Sequence, residues 1–260
     1  MDTTLIETLG DELYHAMTTQ TVVEPLTNRH PDITIENAYH IQQRMLSRRL
    51  QAGERIVGKK IGVTSAAVMN MLGVYQPDFG YLLDGMIYNG GESIDANTLI
   101  QPKAEGEIAF LLKKDLLGPG ISNADVLAAT ECVMPCFEIV DSRIRDWKIE
   151  IQDTVADNAS CGVFVLGDCA VDSRRIDLYS CGMVMEKNGD IIATGAGAAA
   201  LGSPVNAVAW LANTLGHLGI GLKAGEIILS GALAAMAPAK AGDNFRMSIG
   251  GLGSCSVTFS

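Results

Sequence analysis

The sequence lacks the features that mark membrane, secreted and nucleic-acid-binding proteins. No apolar run approaches the roughly 20 residues of a bilayer-spanning helix. The opening MDTTLIETLGDE has no basic start followed by an apolar stretch, so no secretory signal is expected. Lysine and arginine number 19 against 30 acidic residues, and they form no basic stripe that could neutralise phosphates. We therefore expect a soluble, cytoplasmic, globular protein that binds neither membrane nor nucleic acid.

Cysteine and histidine are also too sparse or too scattered for a zinc site or a disulfide framework. The six cysteines form no CxxC pair and lie in apolar segments, which predicts buried, reduced thiols. The four histidines are His15, His30, His40 and His217. A metal in this protein would therefore be held by oxygen atoms. The formal net charge of -11 implies that an anionic substrate needs local positive charge from lysine, arginine or a metal ion.

Two amphipathic segments predict a small helical region at the N-terminus, residues 1–54. The first is residues 5–17, with leucines and a methionine on one stripe. The second is residues 35 to about 51, with Thr34 as N-cap and Gly53 as a stop. Its predicted core-facing residues are Ala38, Ile41, Met45 and Leu50.

Residues 55–260 read as a second region that is rich in strands. Short apolar runs bounded by glycine recur there, and Asn188-Gly189 predicts a tight hairpin. One late helix is predicted, with Ser203 as cap and Pro204 in its first turn. Numerous strands without intervening helices favour an antiparallel or mixed, barrel-like sheet over a doubly wound α/β fold. The predicted class is α+β.

The most informative segment is KAEGEIAF, residues 103–110. In a strand, alternation places Glu105 and Glu107 on the same face, roughly 7 Å apart along the chain. Taken alone, an ExE pattern is more often a solvated strand face. Here IAFLL follows and is apolar on both faces, which indicates a buried strand in which uncompensated carboxylates are costly.

A third acid, Glu138, lies in CVMPCFEIVD, again among residues that belong in a core. Like charges 4 Å apart repel by about 4 kcal/mol at an effective dielectric constant of 20. Three converging carboxylates therefore need protons or a cation, and a divalent ion is the simpler answer. Mg²⁺ or Mn²⁺ prefers six oxygens, so three glutamates would leave three positions for water and a chelating ligand.

Several segments together resemble one enzyme family over essentially the whole chain. They are GKKIGVTS, QPDFGYL, KAEGEIAF, CFEIVDSR, VADNASCG and GAGAAALGSPVNAVAWLAN. The chain resembles the 2-keto-4-pentenoate hydratases of bacterial meta-cleavage pathways, in the hydratase and decarboxylase branch of the fumarylacetoacetate hydrolase superfamily. The resemblance implies a mixed β-barrel-like core, like the C-terminal domain of that superfamily. It also implies a divalent metal held by Glu105, Glu107 and Glu138.

The same resemblance implies further site residues. Lys60 and Asp78 match the lysine and aspartate that complete the site, and Ser160 matches a contact to the substrate carboxylate or a proton relay. Adjacent Lys59 and Lys60 point to opposite faces of a strand, so only one can face a cavity. The sequence alone does not say whether Lys60 or Asp78 donates the proton. We interpret Arg143 as part of a structural salt bridge rather than a substrate clamp.

The implied activity is hydration of 2-hydroxypenta-2,4-dienoate to 4-hydroxy-2-oxopentanoate in the degradation of aromatic compounds. One alternative is a 2-oxo-3-hexenedioate (4-oxalocrotonate) decarboxylase, whose substrate would chelate the metal in the same way. Another, from a different class, is a non-catalytic subunit that stabilises a partner enzyme. The resemblance also implies a homo-oligomer and a possible complex with a homologous decarboxylase.

Overall fold

The computed structural model describes all 260 residues, which form seven α-helices and thirteen β-strands in two sheets. The helices are α1 Thr3–Thr18, α2 Leu26–Arg29, α3 Ile35–Gln51, α4 Ala66–Leu72, α5 Asn123–Ala129, α6 Ile151–Ala156 and α7 Pro204–Gly216. The strands are β1 Ile56–Gly62, β2 Asp78–Leu83, β3 Ile87–Asn89, β4 Ser93–Ile94, β5 Lys103–Leu112, β6 Thr130–Val140, β7 Cys161–Leu166, β8 Gly182–Lys187, β9 Asp190–Ala196, β10 Ile227–Leu229, β11 Ala237–Pro238, β12 Asn244–Ile249 and β13 Gly253–Phe259. No helix among these is long and apolar enough to cross a membrane.

The predicted N-terminal helices are present with the predicted cap. The Thr34 side chain accepts a hydrogen bond from the backbone of Asn37 at the start of α3. Helices α1 and α3 share a hydrophobic cluster that includes Leu13 and Ile41 and also takes in Val155 of α6. The N-terminal helices therefore pack directly onto the segment that leads into β7. The boundary between residues 54 and 55 stays a prediction.

Two details of the sequence-based prediction are wrong. Leu50 does not face the core and is 39% exposed, because the inward positions at the end of α3 are taken by Leu46 and Arg49. The Arg49 guanidinium bonds to Glu54, 2.6 Å away, so the helix ends on a partly buried ion pair. Cys169 is exposed, since it lies in the turn after β7, whereas four of the other five cysteines are buried as expected.

The α+β class is confirmed, although the core is two open sheets and no closed barrel. The larger sheet runs in the order β2-β1-β10-β5-β6-β7-β3, with β11 added beside β5. The smaller sheet runs β4-β13-β12-β8-β9. Both are mixed, since β1–β10, β3–β7 and β4–β13 are parallel pairs. The Asn188-Gly189 hairpin joins β8 to β9 with both residues at positive φ, as predicted.

Aromatic side chains join the two sheets. Phe137 of β6 meets Phe245 of β12 edge to face with 6.3 Å between ring centroids, and Phe259 of β13 extends the contact. The predicted late helix is α7, capped by Ser203 and lying against α5 and β1. This packing fixes β1, β2, β5 and β6, the four strands that carry the candidate site.

Candidate active site

Three glutamates converge on one point between β5 and β6. The two strands are antiparallel, and their register places Glu105 directly opposite Glu138. Alternation along β5 brings Glu107 to the same face, and one oxygen from each of the three lies within 4.8 Å of the others. All three residues are buried, so the solvated-face interpretation of the ExE pattern is wrong here.

The positive groups around the three glutamates do not neutralise them fully, and the pKa of each is raised. Burial, reinforced by Glu138, raises the pKa of Glu105 to about 8. Burial and the neighbouring carboxylates raise the pKa of Glu107 well above its usual value. The pKa of Glu138 is raised by burial in spite of the Lys60 ammonium. The metal-free cluster therefore binds protons that solvent-exposed glutamates would release.

Several oxygens of the cluster are free to bind a ligand. Glu107 accepts a hydrogen bond from the Gly231 amide through Oε2, at 2.7 Å, while its Oε1 has no donor. Glu138 Oε2 has no donor either, whereas Glu138 Oε1 faces the Lys60 ammonium at 3.2 Å. Buried carboxylate oxygens without partners are costly, and an all-oxygen set is the donor type that hard divalent cations such as Mg²⁺ prefer. The residues present can thus hold such an ion.

The two neighbouring lysines of β1 have separate partners on opposite faces. The Lys59 ammonium lies 2.7 and 2.8 Å from the two carboxylate oxygens of Glu226. The Lys60 ammonium lies 3.2 Å from Glu138 Oε1 and donates to the Ala159 carbonyl at 2.9 Å. Burial alone would lower the pKa of Lys60, but Glu138 and Asp78 outweigh it and raise the pKa. Only Lys60 faces the glutamates, as predicted, and neither lysine is solvated.

Asp78 lies beside Lys60, at the start of a strand. It is the first residue of β2, is 1% exposed and pairs in register with Gly62 of β1. A Cβ on Gly62 would stand 2.1 Å from Asp78 Oδ1 and 3.0 Å from the Lys60 ammonium, so only glycine lets the two groups approach here. Burial raises the pKa of Asp78, and Lys60 opposes that shift.

A left-handed turn places the next group of polar atoms. Asn158, Ala159 and Ser160 have φ values of 54°, 51° and 52°, a conformation that L-residues rarely adopt and that costs about 1–3 kcal/mol each. The Asn158 side chain holds the turn, since it accepts from Tyr81 N and donates to Tyr81 O, at 2.8 and 3.0 Å. The turn points the Ala159 carbonyl at Lys60. It also brings Ser160, as expected, into the cleft.

Thr154 is a site residue that the sequence did not reveal. It lies in α6, and its hydroxyl donates to Asp78 Oδ2 at 3.2 Å. The same hydroxyl lies 3.2 Å from the Ser160 hydroxyl, with either group able to donate. No residue spacing within the segment IQDTVADNAS marks Thr154 as a site residue. It lies beside Asp78 only because α6 packs against β2.

Arg143 forms the structural ion pair that was predicted, with a partner the sequence did not specify. Its guanidinium lies 2.5 Å from Asp157, and it also donates to the backbone carbonyls of Asp141, Asp157 and Cys161. Burial raises the pKa of Asp157 to about 6, although Arg143 opposes the shift. The pair anchors the residue that precedes the left-handed turn.

The cleft over these groups is walled by apolar side chains. Glu105, Asp78, Ser160 and Lys60 line it together with Val63, Val68, Leu72, Val140, Trp147, Ala159 and Met236, and with Gly62 and Thr154. Lys60 is the single cationic residue among them. The lining therefore combines acidic and hydroxyl oxygens with hydrocarbon side chains.

Comparison with known proteins finds relatives along essentially the whole chain. The model of the fumarylacetoacetate hydrolase C-terminal family matches residues 67–260. The chain is 72% identical over 221 residues to a 2-hydroxypent-2,4-dienoate hydratase of Pseudomonas putida, covering 85% of this chain and 100% of that one. It is 59% identical to a 2-hydroxyhexa-2,4-dienoate hydratase of Comamonas testosteroni, covering 99% of this chain and 98% of the relative.

A solved structure shows the same fold throughout. The 4-oxalocrotonate decarboxylase from Pseudomonas putida G7, complexed with magnesium and adipate, superimposes with a TM-score of 0.95 at 38% identity, over 100% of this chain and 99% of that one. The same enzyme complexed with calcium and acetate gives a TM-score of 0.94. The chain therefore belongs to the fumarylacetoacetate hydrolase family and, within it, to the group of the 2-keto-4-pentenoate hydratases.

Proposed function

We propose that the chain is a hydro-lyase that adds water to 2-hydroxypenta-2,4-dienoate and produces 4-hydroxy-2-oxopentanoate. The relatives at 72% and 59% identity are named as hydratases of a five-carbon and a six-carbon dienoate. Both belong to the chemistry by which meta-cleavage products of aromatic compounds are degraded. The candidate site supplies the two requirements of this reaction, a group of oxygen ligands and buried proton donors and acceptors.

In this proposal Glu105, Glu107 and Glu138 hold a divalent cation. The unpartnered oxygens of Glu107 and Glu138 and the absence of nitrogen and sulfur ligands support Mg²⁺ or Mn²⁺. The related decarboxylase, complexed with magnesium in one structure and calcium in another, supports the same assignment. When bound, the cation would act as a Lewis acid toward the substrate carboxylate and 2-oxygen.

Lys60, Asp78 and Ser160 would serve the proton transfers. The reaction adds a proton to C5 and another to C3, and it removes one from the 2-hydroxyl group and one from the water that attacks C4, so the site needs proton donors and acceptors within reach of these atoms. Lys60 and Asp78 face each other across Gly62 at the floor of the cleft. Ser160 presents a hydroxyl to the same space, suited to the substrate carboxylate or to a relay.

The observation that carries the choice of substrate is the apolar wall of the cleft. Lys60 is its one cationic residue, and that ammonium already lies against Glu138. A monocarboxylate with a hydrocarbon tail matches this wall. No lining residue other than Lys60 could offer a counter-charge to the second carboxylate of 2-oxo-3-hexenedioate, and burying an unpaired charge is costly. The hydratase activity is therefore favoured over the decarboxylase activity.

Turnover of both substrates by the purified chain tests the proposal. With Mg²⁺ present, we expect loss of the dienoate absorbance and formation of the 4-hydroxy product, with no carbon dioxide from the hexenedioate. Release of carbon dioxide without hydration would reject the hydratase in favour of the decarboxylase. Absence of both activities in the isolated chain, restored by a partner, would favour the non-catalytic subunit.

We also expect a homo-oligomer, and association with a homologous decarboxylase if one is present. Light scattering on the eluate of a size-exclusion column gives the subunit number. Co-elution of a mixture of this chain and the Pseudomonas putida G7 decarboxylase tests the complex. A monomer, or two separately eluting proteins, would contradict the respective expectation.

A further inference from the structure

The hydroxyl of Thr154 makes unusual hydrogen bonds for a threonine in a helix. Such hydroxyls commonly bond back to the carbonyl one turn earlier. Here the hydroxyl bonds to two side chains outside the helix, Asp78 Oδ2 and Ser160 Oγ, each at 3.2 Å. All three residues are at most 3% exposed, so water does not compete for these bonds. The Thr154 hydroxyl therefore links the Asp78 carboxyl group to the Ser160 hydroxyl through two hydrogen bonds.

Two proton arrangements of these three side chains differ in whether the Ser160 hydrogen points to Thr154 or into the cleft. A hydroxyl has one hydrogen to donate, and an ionised carboxylate can only accept. When Asp78 is ionised, Thr154 donates to it and must accept from Ser160, so Ser160 faces the cleft with lone pairs alone. When Asp78 carries a proton on Oδ2, it donates to Thr154, Thr154 donates to Ser160, and the Ser160 hydrogen is free for the cleft.

We propose that Thr154 is a positioning residue that couples the protonation of Asp78 to the hydrogen of Ser160 during hydration. A proton that arrives on Asp78 is passed on as an O–H donor at Ser160. If the transfer continues, Asp78 gives its proton to the Thr154 oxygen while Thr154 releases its own to Ser160, and Ser160 releases its hydrogen to the substrate. Each hydroxyl then gains one proton and loses one, so Asp78 becomes a carboxylate and the substrate gains the proton that Asp78 has lost.

The inference rests on the proposed hydratase function. It also gives a reason for the strained left-handed backbone of residues 158–160. Ser160 has φ +52°, and its backbone carbonyl accepts from the Asp141 amide, so the residue is fixed on the backbone side. Its hydroxyl is thereby held between Thr154 and the cleft. L-residues usually adopt the left-handed conformation singly, whereas here three successive residues adopt it and bring the Ser160 hydroxyl to Thr154.

Substitutions that keep or remove the hydroxyl test the proposal. Thr154→Val preserves the shape and removes the hydroxyl, whereas Thr154→Ser preserves the hydroxyl and removes the methyl group. We expect Thr154→Val to lower kcat for hydration of 2-hydroxypenta-2,4-dienoate by roughly 100-fold, the size of a lost proton-transfer contribution. KM should stay within about twofold, and Thr154→Ser should keep kcat within about threefold of the natural chain. Thr154→Ala supplies a second hydroxyl-free variant if the valine does not fold.

Kinetics in mixtures of light and heavy water separate a relay from a packing effect. The natural chain and Thr154→Ser should give a curved dependence of kcat on deuterium fraction, since several protons move together, and the hydroxyl-free variants should give a straight line. Unchanged kcat in the hydroxyl-free variants would overturn the relay, as would a serine variant as slow as the valine. Failure of the natural chain to hydrate the dienoate would instead overturn the proposed function.

Discussion

Replacing Lys60 by methionine removes the ammonium that pairs with Glu138. At 3.2 Å from Glu138 Oε1 and an effective dielectric constant of 20, the lost attraction is about 5 kcal/mol. Leaving one partner of a buried pair uncompensated typically costs about 3–5 kcal/mol of folding stability, and metal-free protein should lose that amount. If Lys60 also takes part in proton transfer, kcat should fall by at least about 100-fold.

Lys59→Met is the matched control, because the neighbouring ammonium is equally buried and lies 2.7 Å from a glutamate of its own. Lys59 pairs with Glu226 on the opposite face of β1, away from the cleft. We expect a similar loss of stability in urea denaturation but a kcat within about threefold of the natural chain. The two variants therefore separate the electrostatic cost of a missing lysine from its chemical role.

Two results would refute the reasoning about Lys60. One is a Lys60→Met variant whose kcat stays within about threefold of the natural chain at saturating Mg²⁺. The other is a Lys59→Met variant that loses as much activity as Lys60→Met, since the face of β1 would then not matter. Denaturation in the presence of a chelator and again with Mg²⁺ shows whether the cation replaces the missing charge.

Three further predictions concern the acids and the buried ion pair. Glu107→Gln should abolish metal-dependent activity and leave the circular dichroism spectrum unchanged. Glu131→Gln, on the exposed part of β6, is the control and should leave both activity and spectrum unchanged. An active Glu107→Gln variant would remove that residue from the ligand set. Because the folded-state pKa of Glu105 is raised to about 8, the metal-free chain should lose stability as pH rises from about 4.5 to 8, by at most about 5 kcal/mol. Mg²⁺ displaces the bound protons, so the increase in Tm that it causes should grow between pH 5.5 and 8, and a pH-independent increase would contradict this. Arg143→Leu should cost about 3–5 kcal/mol in urea denaturation by stranding Asp157, and a cost below about 1 kcal/mol would show that the pair is not structural.

Local patterns in the sequence predicted the helices α1, α3 and α7 and the strand-rich region, but not the short helices α4, α5 and α6 that lie between strands. Thr34 and Ser203 cap their helices as expected, and Asn188-Gly189 turns its hairpin, because each depends on the chemistry of a few adjacent residues. The convergence of Glu105 and Glu107 was also predictable, since alternation along one strand fixes it. The sheet order was not, because it depends on which apolar faces meet across long stretches of chain.

The parts of the site that escaped prediction are those made by distant contacts. Thr154 reaches Asp78 across 76 positions of sequence, and no periodicity within α6 marks it. The pairing of Lys59 with Glu226 spans 167 positions. Leu50 was misplaced for a related reason, because its helical position suits a core but the chain ends the helix on Arg49 and Glu54 instead.

Anomalous diffraction from crystals soaked in Mn²⁺ is the measurement closest to the central claim. We predict one strong peak about 2.1 Å from an oxygen of each of Glu105, Glu107 and Glu138, with water at the open positions. A peak elsewhere on the chain, or ordered solvent alone among the three carboxylates, would contradict the account.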